Sequence, residues 1–89
     1  MNNLYIDKLK VDFYRSASNV NDYAQKKDNN RNHANYGSAS TIAAILTDFG
    51  CKVRLHAWED NGYLKISFIQ VDDWKIEFYN GKIEFYNGK

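Results

Sequence analysis

The chain has 89 residues, a formal net charge of +1, 44% hydrophobic residues and 16% aromatic residues, which indicates one small folded domain and not a disordered chain. The near-neutral charge argues against a strong binder of duplex DNA and against an anionic mimic of nucleic acid. The single cysteine excludes an internal disulfide, and no apolar run approaches the roughly 20 residues that cross a bilayer, so we expect a cytoplasmic protein without a membrane segment.

The first predicted element is a strand within residues 4–14. Leu9, Val11 and Phe13 share one parity and charged residues share the other, which is the period of a half-buried strand. Asn and Asp residues dominate the following segment from 28 to 35, and their side chains compete with helix formation by bonding their own backbone. We therefore predict an irregular, solvated loop there, and a short helical turn over residues 20–27 can precede it.

The clearest predicted helix spans residues 38–49. Its apolar residues recur at i, i+3, i+4 and i+7, which makes one apolar stripe: Ile42, Ile45, Leu46 and Phe49. Ser38 or Ser40 would cap its first N–H groups, and Gly50 would adopt the left-handed conformation that ends a helix.

A strand over residues 51–58 follows and runs toward Asn61-Gly62. Asn-Gly is the strongest short hairpin signal, because both residues of a type I′ turn need positive φ. This turn predicts two apolar pairs across the hairpin: Leu55 with Phe68, and Ala57 with Ile66.

A three-residue corner, residues 71–73, would lead to a third strand with Trp74, Ile76 and Phe78 inside. Two further pairs are predicted here: Phe68 with Ile76, and Ile66 with Phe78. Together these elements predict a single small α+β domain. It would have an N-terminal strand and one main helix packed on one face of an antiparallel β-meander of three or four strands.

The end of the chain repeats residues 75–81 letter for letter as residues 82–88. A second Asn-Gly hairpin at Asn80-Gly81 would pair Phe78 with Ile83, Ile76 with Phe85 and Glu77 with Glu84. The apolar pairs favour a fourth strand, whereas directly opposed like charges disfavour it by some tenths of a kcal/mol. We assign residues 1–82 to one domain and residues 83–89 to a duplicated segment, either an edge strand or an appendage.

The outward positions of the meander interleave basic and aromatic residues. Trp, Tyr and Arg dominate protein-binding hot spots, and cations with stacking rings also suit single-stranded nucleic acid. The predicted binding residues on the sheet are Arg54, His56, Trp58, Tyr63, Lys65, Lys75 and Tyr79. A basic cluster in the Asn-rich segment, Lys26, Lys27 and Arg31, would deepen this surface into a groove if that segment folds over the sheet.

Catalytic and metal-binding constellations are not evident in the sequence. Cys51 and His56 lie five residues apart on one predicted strand, hence on opposite faces, and cannot form a nucleophile–base pair. Two histidines and one cysteine lack the spacing of a zinc site. We therefore predict no enzyme activity, no metal and no cofactor.

These features predict a non-enzymatic protein-binding module, with binding of single-stranded RNA or DNA as the alternative. By analogy of size and style, such a chain is typical of the stoichiometric inhibitors that phages and other mobile elements direct at host machinery, including the anti-CRISPR class. An uncovered edge strand also allows a homodimer.

Overall fold

A computed structural model describes the backbone of residues 3–79 and 82–86 and the side chains of residues 4–78. Two helices precede four strands, in the order α1 (Asn3–Gln25), α2 (Asn29–Asp48), β1 (Val53–Asp60), β2 (Tyr63–Val71), β3 (Trp74–Tyr79) and β4 (Lys82–Tyr86). The strands form one antiparallel sheet in the order β1-β2-β3-β4. The predicted α+β class and the antiparallel meander are confirmed.

The predicted N-terminal strand is wrong, because residues 4–14 belong to α1. The buried residues of α1 recur at spacings of three and four, which places them on one face of a helix: Leu9, Phe13, Ala17, Val20 and Ala24. Val11, which a strand would bury beside Leu9 and Phe13, is 50% exposed. An alternation of three apolar residues was therefore too short to distinguish a strand from a helix, and two of the three, Leu9 and Phe13, lie on the buried face of α1.

The predicted Asn-rich loop and the predicted caps at Ser38 or Ser40 are also wrong, because α2 begins well before these serines, at Asn29. Its N-cap is Asp28, whose side-chain Oδ1 accepts a hydrogen bond from the Arg31 N–H at 3.2 Å. This bond satisfies one of the free donors of the first turn. The described residues therefore form two long helices where the sequence predicted one.

The end of α2 is as predicted at Gly50, whose φ is +92°. The Gly50 N–H donates to the Thr47 carbonyl at 2.9 Å, and the Cys51 N–H donates to the Leu46 carbonyl at 3.1 Å. These two bonds form a Schellman motif, which requires a left-handed residue at the position of Gly50.

The β1–β2 hairpin has the predicted turn, with φ of 54° at Asn61 and 86° at Gly62. Ala57 pairs with Ile66 as predicted, but Leu55 pairs with Ile69 and not with Phe68. The register shifts between His56 and Ala57, so that Ser67 is an extra residue on β2. This bulge moves Phe68 to the opposite face from the one predicted.

The β2–β3 corner contains two residues, Asp72 and Asp73, and not three, because Val71 pairs with Trp74. Ile76 consequently pairs with Ile69, and the predicted pairs of Phe68 with Ile76 and of Ile66 with Phe78 are wrong. The β3–β4 register is the predicted one: Phe78 with Ile83, Ile76 with Phe85, and Glu77 with Glu84.

Both helices pack on one face of the sheet and bury a single core, whose largest members are Phe13, Leu46, Ile66, Ile69 and Ile76. The predicted packing of a helix on the inner face is thus confirmed, with α1 added beside α2.

Two asparagine side chains join the helices to the free edge of β2, where β3 does not run beside it. The Asn21 amide bonds both backbone groups of Ile66, at 2.7 Å from the N–H and 2.9 Å to the carbonyl. The Asn32 amide does the same at Leu64, at 2.9 Å and 2.8 Å, and also donates to the Val20 carbonyl at 2.8 Å. Asn32 is fully buried. These amides take the place of a neighbouring strand.

Candidate functional site

The face of the sheet turned away from the helices is the candidate site. Cross-strand pairing sets Arg54 beside Gln70, His56 beside Phe68, and Trp58 beside Lys65, and it sets Lys75 and Glu77 beside Gln70 and Phe68 on the other side. We call this surface the outer sheet face, and its residues are Arg54, His56, Trp58, Lys65, Phe68, Gln70, Lys75 and Glu77. All of these side chains are exposed or half-buried.

Phe68 is the centre of the outer sheet face. The Arg54 guanidinium lies 5.1 Å from its ring centroid, and the Lys75 ammonium lies 4.6 Å from it. The His56 imidazole is nearly parallel to the ring, with centroids 5.2 Å apart and an interplanar angle of 6°. His56 is itself held by a hydrogen bond between its Nδ1 and the Ser67 hydroxyl. Cation–π contacts of this kind attract a basic side chain to the ring by about 0.5–1 kcal/mol at exposed sites.

The charges on this face are partly neutralised. Lys75 forms an ion pair with Glu77 at 3.4 Å, and Lys65 forms one with Asp60 at 2.9 Å. Among the side chains of residues 4–78, Arg54 has no carboxylate within 4 Å. Its planar guanidinium is therefore available for a bidentate bond to an incoming carboxylate.

Trp58 lies at one side of this cluster and is 47% exposed. Tyr63 is directed elsewhere, because its hydroxyl donates to the Lys27 carbonyl at 3.2 Å, at the turn between α1 and α2. The side chain of Tyr79 lies outside the described residues. The structure thus brings together five of the seven predicted sheet residues: Arg54, His56, Trp58, Lys65 and Lys75.

The basic cluster of Lys26, Lys27 and Arg31 lies at the α1–α2 turn and does not cover Phe68. Lys26 and Arg31 are bound within the helices, by ion pairs to Asp22 at 3.1 Å and to Asp28 at 3.2 Å. Both cations also lie over the Tyr23 ring, at 5.4 Å and 5.8 Å from its centroid. The predicted groove over the sheet is therefore wrong, since the segment that would have formed it is the start of α2.

The hairpin turn of β1 and β2 rests on this same end of α2. Asn29 Nδ2 donates to the Gly62 carbonyl at 3.0 Å, and His33 Nε2 lies 3.1 Å from the same oxygen. This contact gives His33 a structural partner in the turn.

A second concave surface is a cleft at the other end of the helices. It lies between the start of α1 and the end of α2, and its lining includes Asp7, Lys10, Cys51 and Asp72. Burial raises the pKa of the Cys51 thiol, and the charge of Asp72 acts in the same direction. The thiol is therefore protonated at neutral pH and is a poor nucleophile. Cys51 is buried whereas His56 is exposed. The strand predicted over residues 51–58 begins only at Val53, so Cys51 precedes β1 and does not lie on a face of that strand.

In the part of the chain that the structure describes, no group of three or more His, Cys, Asp or Glu residues could hold a metal ion. No described helix is both long enough and apolar enough to cross a membrane. Comparisons with protein-family models, curated proteins and solved structures find no match to this chain.

Sequence reasoning missed Phe68 as a surface residue. The sequence carried a signal for it, because Phe68 and Ile69 are adjacent apolar residues, and a strand with one buried face must turn one of such a pair outward. Apolar positions of β2 also change parity, from Leu64 and Ile66 to Ile69 and Val71, which requires one extra residue between them.

Proposed function

We propose that this chain is a non-enzymatic protein-binding module that acts stoichiometrically through the outer sheet face. The observation that supports this proposal is the Phe68 cluster. Arg54 and Lys75 are held over one ring beside the exposed Trp58, on a face that neither helix covers. Pre-oriented Arg and Trp side chains are the residues that dominate binding energy at protein interfaces.

The partner proposed for this face is a protein surface that combines a carboxylate with apolar side chains. Arg54 would bind the carboxylate through two parallel hydrogen bonds, because its guanidinium is planar and has no ion-pair partner among the described residues. Trp58 would pack against the apolar groups. A small inhibitor of host machinery in the cytoplasm, of the mobile-element kind expected from the sequence, would use such a surface to block its target.

Single-stranded nucleic acid suits this face less well. A base needs an open ring to stack on, and Phe68 already has His56, Arg54 and Lys75 around it. The Lys75 charge is also shared with Glu77 at 3.4 Å, and a neighbouring carboxylate repels a phosphate backbone. These contacts favour a protein partner over a nucleic acid.

Site-specific photo-crosslinking tests the proposal directly. Position 58 and position 11 are matched, because Trp58 is 47% exposed on the sheet and Val11 is 50% exposed on α1. A photoreactive p-benzoylphenylalanine at position 58 should capture a protein partner in a lysate, and the same group at position 11 should not. Capture from position 11 alone would move the binding surface to the helices and contradict the proposal.

Two further measurements identify the chemistry of the captured partner. Arg54→Ala should weaken binding about tenfold, which corresponds to the loss of one charge-assisted hydrogen-bonded contact, whereas Lys52→Ala, a neighbouring exposed cation on the chain, should change it little. Nuclease treatment should leave the crosslink intact. Loss of the crosslink after nuclease treatment, with a steep fall in affinity as salt rises, would instead establish nucleic-acid binding.

A further inference from the structure

β4 forms one edge of the sheet, and it has the same sequence as its neighbour. The sheet order is β1-β2-β3-β4, so β4 pairs with β3 on one side only among the described strands. The five residues of β4 (Lys82–Tyr86) read KIEFY, as do residues 75–79 of β3. Edge strands present unpaired N–H and carbonyl groups to another strand.

The β3–β4 pairing shows that KIEFY is complementary to itself when antiparallel. Lys75 pairs with Tyr86, Ile76 with Phe85, Glu77 with Glu84, Phe78 with Ile83, and Tyr79 with Lys82. Each end of one segment thus meets the opposite end of the other, and the central glutamates meet each other. The β3–β4 pair therefore has the same two sequences, in the same register, that a pair of β4 strands from two copies would have.

We propose that two copies of this chain associate through β4, in the same register that β3 and β4 show within one copy. The two-fold axis would pass between Glu84 of one copy and Glu84 of the second copy, which would lie directly opposite each other. Ile83 of each copy would pair with Phe85 of the other, and Lys82 with Tyr86. The two four-stranded sheets would become one continuous sheet. This interface is separate from the outer sheet face and does not depend on the function proposed for it.

The outward-directed backbone N–H and carbonyl groups of β4 lie at the positions that this contact requires. Tyr79 and Lys82 pair across the two residues that separate them, and residues flanking a two-residue turn exchange both backbone bonds. Backbone groups alternate in direction along a strand, so those of Ile83 and Phe85 are directed to the free edge. In the proposed register, each Ile83–Phe85 pair across the two copies would exchange both N–H···O bonds.

The symmetry of the contact predicts a dimer and not a fibre. A pair that relates identical strands by a two-fold axis uses the same surface on both copies and closes on itself. Pairing of β4 with the other sheet edge, β1, would join unlike surfaces and would leave a free edge on each new copy. The size of the assembly therefore distinguishes the two arrangements.

Disulfide trapping tests the register. In a Cys51→Ala background, Glu84→Cys should form a disulfide-linked dimer under mild oxidation, because directly opposed positions of antiparallel strands lie at disulfide distance. Lys82→Cys alone should not, since two copies of that residue would be roughly 13 Å apart along the strands. Lys82→Cys mixed with Tyr86→Cys should give the crosslinked heterodimer. Equal trapping at every position would overturn the proposed register.

Sedimentation of the uncrosslinked chain tests the association itself. Wild type should show a reversible monomer–dimer equilibrium. Ile83→Pro should shift it to monomer, since proline removes the outward N–H without removing a β3–β4 bond, and Ile83→Val is the matched control that should leave it in place. Glu84→Gln should tighten the dimer about two- to fivefold, because it removes opposed like charges.

Three outcomes would overturn the proposal: a wild-type chain that stays monomeric at all concentrations, a series of larger oligomers, or a dimer that Ile83→Pro leaves intact while the circular dichroism spectrum remains native. Arg54→Ala should leave the dimer unchanged. Weaker partner binding in that variant with the dimer retained would show that the two surfaces are independent.

Discussion

The two halves of β2 differ in what bonds the backbone N–H and carbonyl groups on the edge away from β1. On the edge away from β1, Ile69 and Val71 pair with β3, whereas Leu64 and Ile66 are bonded by the side-chain amides of Asn32 and Asn21. A strand satisfies such an edge with backbone groups that any sequence provides. An amide from a helix does so only if one residue type stands at one position, so half of β2 depends on sequence far more strongly than the other half.

The difference also explains how two helices can pack so closely on a small sheet. β3 does not pair with the half of β2 that contains Leu64 and Ile66. Without the two amides, the backbone N–H and carbonyl groups there would be buried without a hydrogen-bond partner, which costs about 1 to 3 kcal/mol for each buried group. Asn21 on α1 and Asn32 on α2 remove that penalty. The amide bonds therefore allow the sheet to end early without exposing polar backbone to an apolar core.

The largest expected effect is that of Asn32→Ala, because Asn32 is fully buried and makes three hydrogen bonds to Leu64 and Val20. We expect a loss of about 3 kcal/mol in the free energy of unfolding, measured by urea denaturation. Asn30→Ala is the matched control, since Asn30 is exposed in the same turn of α2 and should change stability by less than about 0.5 kcal/mol. A similar small effect at Asn32 would show that water can replace the amide.

Asn21→Ala should destabilise the protein by about 2 kcal/mol, since Asn21 is only partly buried but bonds both backbone groups of Ile66. Amide hydrogen exchange gives the sharper measurement. The Ile66 amide should exchange faster in this variant, while the Ile69 amide, which lies in the half of β2 paired with β3, should keep its protection. Equal acceleration at both amides would mean that the two halves of β2 open together.

Asp28→Ala should cost about 1 kcal/mol, because it removes the side chain that caps α2 through the Arg31 N–H. Asp28→Asn should recover most of this loss, since Asn is an equally good cap, although it gives up the ion pair with Arg31 at 3.2 Å. Thermal unfolding of the two variants separates the cap from the charge. No difference between Asp28→Ala and wild type would show that the contacts of α2 with the β1–β2 hairpin fix the start of the helix without the cap.

The smallest effect is expected from deleting Ser67, the extra residue that separates the two halves of β2. The deletion restores strict alternation and keeps Leu64, Ile66, Ile69 and Val71 on the inner face, so it should cost less than about 1 kcal/mol. Deletion of Gln70 is the control, because it would turn Val71 outward and should prevent native folding. Denaturant unfolding of both deletion variants would decide whether the bulge is needed for the fold, because the shortened strand would still turn Phe68 outward opposite His56.

The sheet half of the molecule could largely be predicted from sequence because its signals are local. The Asn61-Gly62 turn has the positive φ values that its residue types favour, and Gly50 ends α2 for the same reason. The repeated segment paired in the predicted register. Two features of the sheet were not predicted: the bulge at Ser67, with the outward position of Phe68, and the two-residue corner between β2 and β3.

The helical half could not be predicted in the same way. Val11 suggested a strand because only three apolar positions were compared, whereas the helical stripe is evident over the full length from Leu9 to Ala24. The asparagines around position 32 suggested a loop because their intrinsic preference is weak for helix. In the folded chain Asn32 bonds a strand that lies 32 residues further along, and no local pattern contains that information.

Protein synthesis runs from the helices to the strands, and this order has a consequence for the asparagine contacts. Asn32 leaves the ribosome before the backbone groups of Leu64 that it bonds, and the separation of 32 residues takes about 2 to 6 s at a synthesis rate of roughly 5–20 residues per second. During that interval the two helices can form, but packing them fully would bury an amide without its partners. The nascent helical pair should therefore stay loosely associated until the β1–β2 hairpin emerges and completes it.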